Sequence, residues 1–404
     1  IINKLNLPYL AADLLYLEGV NMKKQLFYPA DILLPKENFE KWSVIACDQY
    51  TSEPEYWKET AEAVGDSPSA LKIVLPEAYL SGDDSEKIAK INQTMGEYLQ
   101  NGVFACFENT MIYTRRALKN GKVRHGIVGL IDLEDYSYQK GADTLIRATE
   151  QTVIERIPPR VAIRRDASVE IPHVMLLIDD TERTVIEPIS EKADTLNKVY
   201  DFDLLQNAGH ITGFALGEKE IKYVQSALSA LAEKSGDGLL FAVGDGNHSL
   251  ASAKECYNSG CGSRYAMVEV VNIHDLSLEF EPIYRVVFGA DESLVEDFVR
   301  FCGEDGGEGA QRFTCICGEK IKEISVKPNG ALPVATLQSF LDKYLTDRDM
   351  KIDYVHGIEN TKKLCKTKNA VGFLFEGMGK SELFTAVQKD GSLPRKTFSM
   401  GCAD

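Results

Sequence analysis

The sequence predicts an α+β protein built on mixed sheets with flanking α/β elements. Three observations predict it. Strand-like and helix-like segments follow one another without the regular spacing of a doubly wound sheet. Asn120-Gly121 joins two long strand-like runs, a strong hairpin signal. Residues 218–234 carry Ile221, Val224, Leu228 and Leu231 on one helical face.

In order along the chain, residues 26–34 read as extended. Residues 42–47 read as a buried strand leading into the polar loop 48–52. A helix over 54–63 follows, with Ser52 as its N-cap and Pro54 in its first turn. The apolar spacing over 84–101 is helical and stops at Asn101-Gly102. Residues 104–118 and 123–133 are the paired strands of the hairpin. Residues 142–157 read as a helix stopped by Pro158-Pro159, and 174–178 as a short strand. After the 218–234 helix come a strand over 239–243, a tight loop over 244–248, a helix over 249–258 and a strand over 265–272. The Gly- and acid-rich run 303–309 is an exposed loop. Beyond it we expect strands at 321–326, 352–355 and 371–375, with helices over 333–344 and from Glu359.

Four regions are expected: 1–21, a leader or extension; 22–120, an N-terminal α/β region; 121–275, the central, site-bearing region; and 276–404, a C-terminal α/β region. The chain begins at Ile1, and its first methionine is Met22. Glu18 to Met22 can be back-translated as a ribosome-binding stretch ahead of a start codon, so residues 1–21 read as translated leader. Mass spectrometry of the native protein tests this.

The formal charge is −16, from 45 Lys and Arg against 61 Asp and Glu. That balance argues against a nucleic-acid groove or an anionic membrane surface as partner. The longest apolar runs fall short of the roughly 18–20 residues of a membrane span. Nine cysteines are scattered without a CxxC pair, which suits a reducing cytoplasm. Cys315 and Cys317 read as free thiols on one strand.

The sharpest chemical signal is Gly244-Asp245-Gly246-Asn247-His248-Ser249 after a buried strand. Such a turn presents backbone N–H groups at a helix N-terminus, where a phosphate or carboxylate is favoured. Asp245 and His248 could hold a metal or move protons there. A plain strand–turn–helix joint explains the same residues, and the third glycine of a dinucleotide fingerprint is missing. A second cluster, Arg147 to Arg156, places Arg147 and Glu150 on one helix face. That is either a base beside an anion site or a solvated helix with internal ion pairs. Of Arg115-Arg116, at most one can face a site from a strand. Gly379-Lys380-Ser381 reads as a turn, His356 as a turn residue, and His125, His173, His210 and His274 mostly as structural. Arg395 and Lys396 place two cations beside Thr397 near the end.

Taken together, these blocks resemble the prokaryotic family catalogued as the domain of unknown function numbered one thousand and fifteen. Its G-l-v-G-x-x-d-l-E-D-Y block is Gly126 to Tyr136 here. Its H-E-x-T with a following D-R is Thr149-Glu150-Gln151-Thr152 with Glu155-Arg156. Its D-G-H-H-R is Asp245 to Ser249, and its P-x-K-S-T-F is Pro394 to Phe398. Departures fall at Thr149, Glu155, Asn247 and Ser249, the last replacing an arginine that Arg147, Arg156 or Arg264 would have to replace in charge. The chain also stops at Asp404, short of the family's usual extension.

The loop is similar, more weakly, to that of free-serine kinases, whose fold is shared with chromosome-partition proteins and sulfiredoxin. That resemblance implies a partition-protein/sulfiredoxin-like core at the centre of the mixed sheets. It also implies phosphoryl transfer to the hydroxyl of a small metabolite, free L-serine first, from ATP, ADP or pyrophosphate with Mg²⁺. Glu150 would be the base, held by Arg147. Asp245, as the metal ligand, and His248 would orient metal and phosphates. Gly246, Asn247 and Ser249 would cradle phosphate, with Arg156 and Lys396 neutralising charge. The alternatives are a metal-dependent phosphohydrolase and a non-catalytic nucleotide or metabolite sensor. Oligomeric state is not legible.

Overall fold

A nine-stranded mixed sheet forms the middle of the molecule, in the order Asn197–Asp203, His210–Ala215, Ile112–Ala117, Val123–Asp132, Tyr265–Asn272, Met175–Ile178, Phe241–Asp245, Ile146–Ala148 and Tyr136–Ser137. The computed structural model describes residues 1–3, 24–51, 53–152, 154, 157–171, 174–366 and 369–400. The expected leader (apart from residues 1–3), Ser52 as N-cap, Glu155, Arg156 and His173 lie outside the described residues. The hairpin appears where Asn120-Gly121 predicts it, with Ala117 opposite Val123. Tyr265–Asn272 runs antiparallel to Val123–Asp132 and parallel to Met175–Ile178, and Phe241–Asp245 runs parallel to Ile146–Ala148. The protein is therefore α+β with mixed sheets.

Strands buried on both faces read as apolar runs rather than alternating ones, and Leu240, Phe241, Ala242 and Val243 are fully packed. Helix Glu218–Lys234 buries Ile221, Val224 and Leu228 at helical spacing. A smaller sheet is formed by Phe104–Thr110, Ala30–Pro35, Ile2–Asn3 and Val169–Glu170. Lys320–Val326, Gln311–Cys317, Ala370–Phe375, Glu281–Phe288 and Lys351–His356 form a C-terminal sheet, backed by helices Ser293–Cys302 and Pro333–Tyr344. Every described cysteine is free, Cys315 and Cys317 included. Among the described residues no helix is long and apolar enough to cross a membrane.

Three expectations fail locally. Residues 104–118 are not one strand: Phe104–Thr110 joins the smaller sheet, and Ile112–Ala117 pairs in the hairpin. Residues 42–47 form no strand: a 3₁₀ turn, Phe39–Trp42, is followed by irregular chain. Trp42 is held by edge-on packing against Tyr98 and Phe104, at 5.6 and 5.3 Å, rather than by strand pairing. Residues 142–157 form no helix either. Ile146–Ala148 is a strand, and the helix is Ile157–Arg165. Its first turn contains Pro158-Pro159, where a missing N–H costs nothing, so the prolines open a helix instead of closing one. The strands Asn197–Asp203 and Glu281–Phe288 lack a clear sequence pattern; burial in Asn197–Asp203 is only partial.

Candidate functional site

The buried strand Phe241–Asp245 ends at Gly246, whose φ of 82° starts helix Asn247–Asn258. The first N–H groups of that helix have no partner within it. Leu250 N is the first to turn back, to Gly246 O at 2.9 Å. Asp245 is exposed at the turn and accepts from Gly246 N at 2.7 Å. A Cβ on Gly246 would stand 3.0 Å from Val174 Cα. Positive φ and this backbone neighbour act together, so Gly246→Ala should cost about 1–2 kcal/mol. Urea denaturation of the variant measures it; an unchanged midpoint would show that the turn tolerates a side chain.

Opposite this turn stands Glu150. Thr149 donates from Oγ1 to Val243 O at 2.6 Å, tying the two segments together. The C-terminal stretch then pairs alongside: Leu393 N donates to Thr149 O at 2.7 Å, and Gln151 N to Leu393 O at 3.4 Å. It turns tightly at Pro394–Thr397, where Thr397 Oγ1 donates to Pro394 O at 2.6 Å and Lys396 adopts a φ of 53°. This left-handed residue, uncommon without glycine, aims backbone N–H groups at Glu150; Thr397 N lies 3.3 Å from Oε1.

Part of Glu150 faces the cleft, but protein surrounds its carboxylate closely. Burial is the main cause lifting its pKa above the ordinary value. Donors from Lys396 and Thr397 and the charge of Arg285 oppose the rise, while the charge of Asp245 adds to it. Glu150 and Asp245 thus meet electrostatically across one cleft, of about 1030 Å³, despite the length of chain between them.

Cations frame the cleft on two sides. Arg395 and Lys396 line one, beside His356. Arg395 Nε donates to Tyr354 Oη at 2.9 Å, and the Arg285, Arg395 and Lys396 cations lie 4.7, 5.3 and 5.7 Å from the Tyr354 ring centroid. Arg116, Lys119 and Arg124 line the other side. There Glu269 accepts from Thr114 Oγ1 at 2.7 Å and pairs with Arg124 at 3.4 Å. Gly126 leaves the room: a Cβ there would collide with the Glu269 side chain. Strand alternation separates Arg116, on the cleft, from Arg115, which reaches Asp194 and Phe214 instead.

Of the residues singled out in the sequence, Glu150, Asp245, Gly246, Asn247, His248 and Lys396 line this cleft. Arg147 does not. On a strand instead of a helix it lies apart from Glu150, and its guanidinium is buried against Asp237 Oδ2 at 2.7 Å and the Asp237 carbonyl at 3.0 Å. Arg264 is likewise committed elsewhere, to Asp132 at 3.0 and 2.8 Å. Ser249 sits in the first turn of the helix, its carbonyl accepting from Arg164 at 3.3 Å.

Of the Arg115-Arg116 pair, one residue, Arg116, lines the cleft. Asp48, Glu269, Lys119 and Arg124 were not legible as cleft residues. For Lys119 and Arg124 the only signal is charge on a strand hairpin; for Asp48 it is an unusually polar stretch after Cys47. Among the described residues no group of three or more His, Cys, Asp or Glu could hold a metal ion unaided.

Comparison with known proteins finds no match among curated ones. Solved structures with similarity include a free serine kinase mutant in complex with ADP, at 14% identity over 69% of this chain and 87% of that one, with a TM-score of 0.39. A free serine kinase in complex with AMP follows at 13% identity, 67% and 85% coverage and a TM-score of 0.38. A conserved hypothetical protein from Pyrococcus furiosus has 13% identity, 67% and 88% coverage and a TM-score of 0.36. A family described as "Protein of unknown function (DUF1015)" matches residues 28–375, a span that takes in the Glu150 segment and the Asp245 turn. By that match the chain belongs to the DUF1015 family.

Proposed function

We propose that the cleft transfers a phosphoryl group to the hydroxyl of a small metabolite, free L-serine being the first candidate. One observation carries the reading: a carboxylate with a raised pKa, Glu150, faces the glycine-initiated helix N-terminus at Asp245–Ser249 across a cleft framed by cations. Phosphoryl transfer asks little covalent chemistry of a protein. It asks for positioning, charge neutralisation and a group that takes or orients the hydroxyl proton.

Glu150 is the base, held by the Lys396 and Thr397 N–H groups in place of the Arg147 contact expected from a helix. Gly246 lets the donor phosphates approach the N–H groups of Asn247, His248 and Ser249. Arg395 and Lys396 supply the charge that Arg147 and Arg264 do not. His248 orients the phosphates. A carboxylate such as Asp245 is a hard-oxygen ligand suited to Mg²⁺, an ion usually held by one or two carboxylates together with substrate phosphates. When bound, that ion would neutralise phosphate charge. The donor class, ATP, ADP or pyrophosphate, is part of the same proposal.

Crystals soaked with pyrophosphate should show a phosphate against the N–H groups of residues 247–249. Asp245→Ala should weaken binding of ADP or pyrophosphate, read by calorimetry with and without Mg²⁺. Phosphate only on scattered surface lysines, with unchanged binding by the variant, counts against the reading.

A further inference from the structure

Behind the wall that carries Glu150 lies a second cleft, of about 560 Å³, between helix Pro333–Tyr344 and the junction of Gln151, Thr152 and Ile154 with residues 392–395. Gln151 and Arg395 line both clefts; Glu150 lines only the first. The volume falls within the range of small-molecule sites.

Its walls hold charges of both signs that do not close onto one another. Lys140 has no hydrogen bond or ion pair among the described residues, and Arg395 engages the neutral Tyr354 hydroxyl. Among the described residues the Asp342 carboxylate accepts from the Gln338 amide, at 2.7 Å, and that of Asp390 from Ala331 N, at 2.9 Å. Two hydroxyls complete the picture. Ser392, 6% exposed, and its neighbour across the junction, Thr152, both have buried side-chain oxygens without a hydrogen-bond partner. Native structures seldom leave such groups unsatisfied, and each exception asks for an explanation. A ligand bearing one positive and one negative group, small enough for this volume, accounts for all of it.

A hydrogen-bond chain leads from this cleft to Glu150. Gln338 Oε1 accepts from Arg285 Nε at 3.0 Å. Arg285 donates onward to the carbonyls of Lys396 and Arg395 at 2.9 and 3.1 Å. Those residues form the turn whose N–H groups hold Glu150.

We propose that the second cleft binds a free amino acid as its zwitterion, and that Arg285 conveys its occupancy to Glu150. The binding half is independent of the catalytic reading; the coupling half rests on Glu150 being the base.

The test titrates the full chain calorimetrically with each common free amino acid. At least one should bind wild-type protein. Lys140→Ala should weaken that binding about tenfold or more, as expected for losing one charge-assisted contact. Lys140 is exposed, so the variant should fold. No binding by any amino acid, or binding lost in Asp245→Ala but unchanged in Lys140→Ala, overturns the proposal. For coupling, the Glu150 carboxyl is followed by difference NMR of carboxyl-labelled glutamate, wild type against Glu150→Gln. Its titration midpoint should move when the amino acid is bound; an unmoved midpoint overturns that half. Neither readout needs turnover, so failure of the catalytic reading leaves both interpretable.

Discussion

Replacing Glu150 by Gln should lower phosphoryl transfer by on the order of 10²–10⁴-fold while leaving donor binding largely intact, because only proton handling is lost. The amide keeps the size of the side chain and an oxygen that can accept from Thr397 N. Single-turnover rates and calorimetric binding, measured side by side, separate the two effects. A variant that keeps wild-type turnover would remove Glu150 from the chemistry. The pH dependence carries the same signature. A base works ionised, so turnover should fall as pH drops through a value above the usual carboxylate range, as the raised pKa requires.

Stability should run the other way. A carboxyl whose pKa is higher folded than unfolded binds its proton more tightly in the native state. Its contribution is therefore present at low pH and lost as pH rises from the unfolded value through the folded one. Above that window Glu150→Gln should be more stable than wild type, and below it the advantage should vanish. A base kept buried for function at a cost in stability behaves this way.

Replacing Arg285 by Met should destabilise the protein by about 3–5 kcal/mol. Arg285 is fully buried and has no carboxylate among its hydrogen-bond partners. Its guanidinium instead satisfies the carbonyls of Ile283, Arg395 and Lys396 and the amide oxygen of Gln338. Burial pulls its pKa down to about 10, so it stays charged at neutral pH. Methionine fills similar volume but removes the Arg285 donors to four oxygens and frees the turn that holds Glu150. Denaturant unfolding measures the loss. Arg285→Lys, which keeps the charge but cannot fork to every carbonyl, should fall between; a Met variant as stable as wild type would contradict the assignment.

Much of this fold can be read from the chain because its strongest local signals agree with their surroundings. Asn120-Gly121 needs no long-range partner to make a turn, and Glu218–Lys234 carries its periodicity in full. The Arg147 segment misled because two residues at helical spacing, Arg147 and Glu150, also fit a short strand followed by irregular chain. Pairing with Phe241–Asp245 decides between them, and no local pattern reports a partner so far along the chain. The site was legible as blocks around Glu150, Asp245 and Lys396. How Glu150 is held was not, because its partners are backbone groups of residues 396 and 397 and not the Arg147 side chain. Arg285 left no trace in the sequence: an arginine in an apolar strand shows its purpose only once the carbonyls it serves are in place.

The most direct measurement is ³¹P NMR of purified protein incubated with Mg²⁺, L-serine and, in turn, ATP, ADP or pyrophosphate. Wild-type protein should form O-phosphoserine from at least one donor, and Glu150→Gln should not. If no donor gives a phosphorylated hydroxyl metabolite, and Glu150→Gln matches wild type in every phosphate-release assay, the cleft is not a phosphoryl-transfer site.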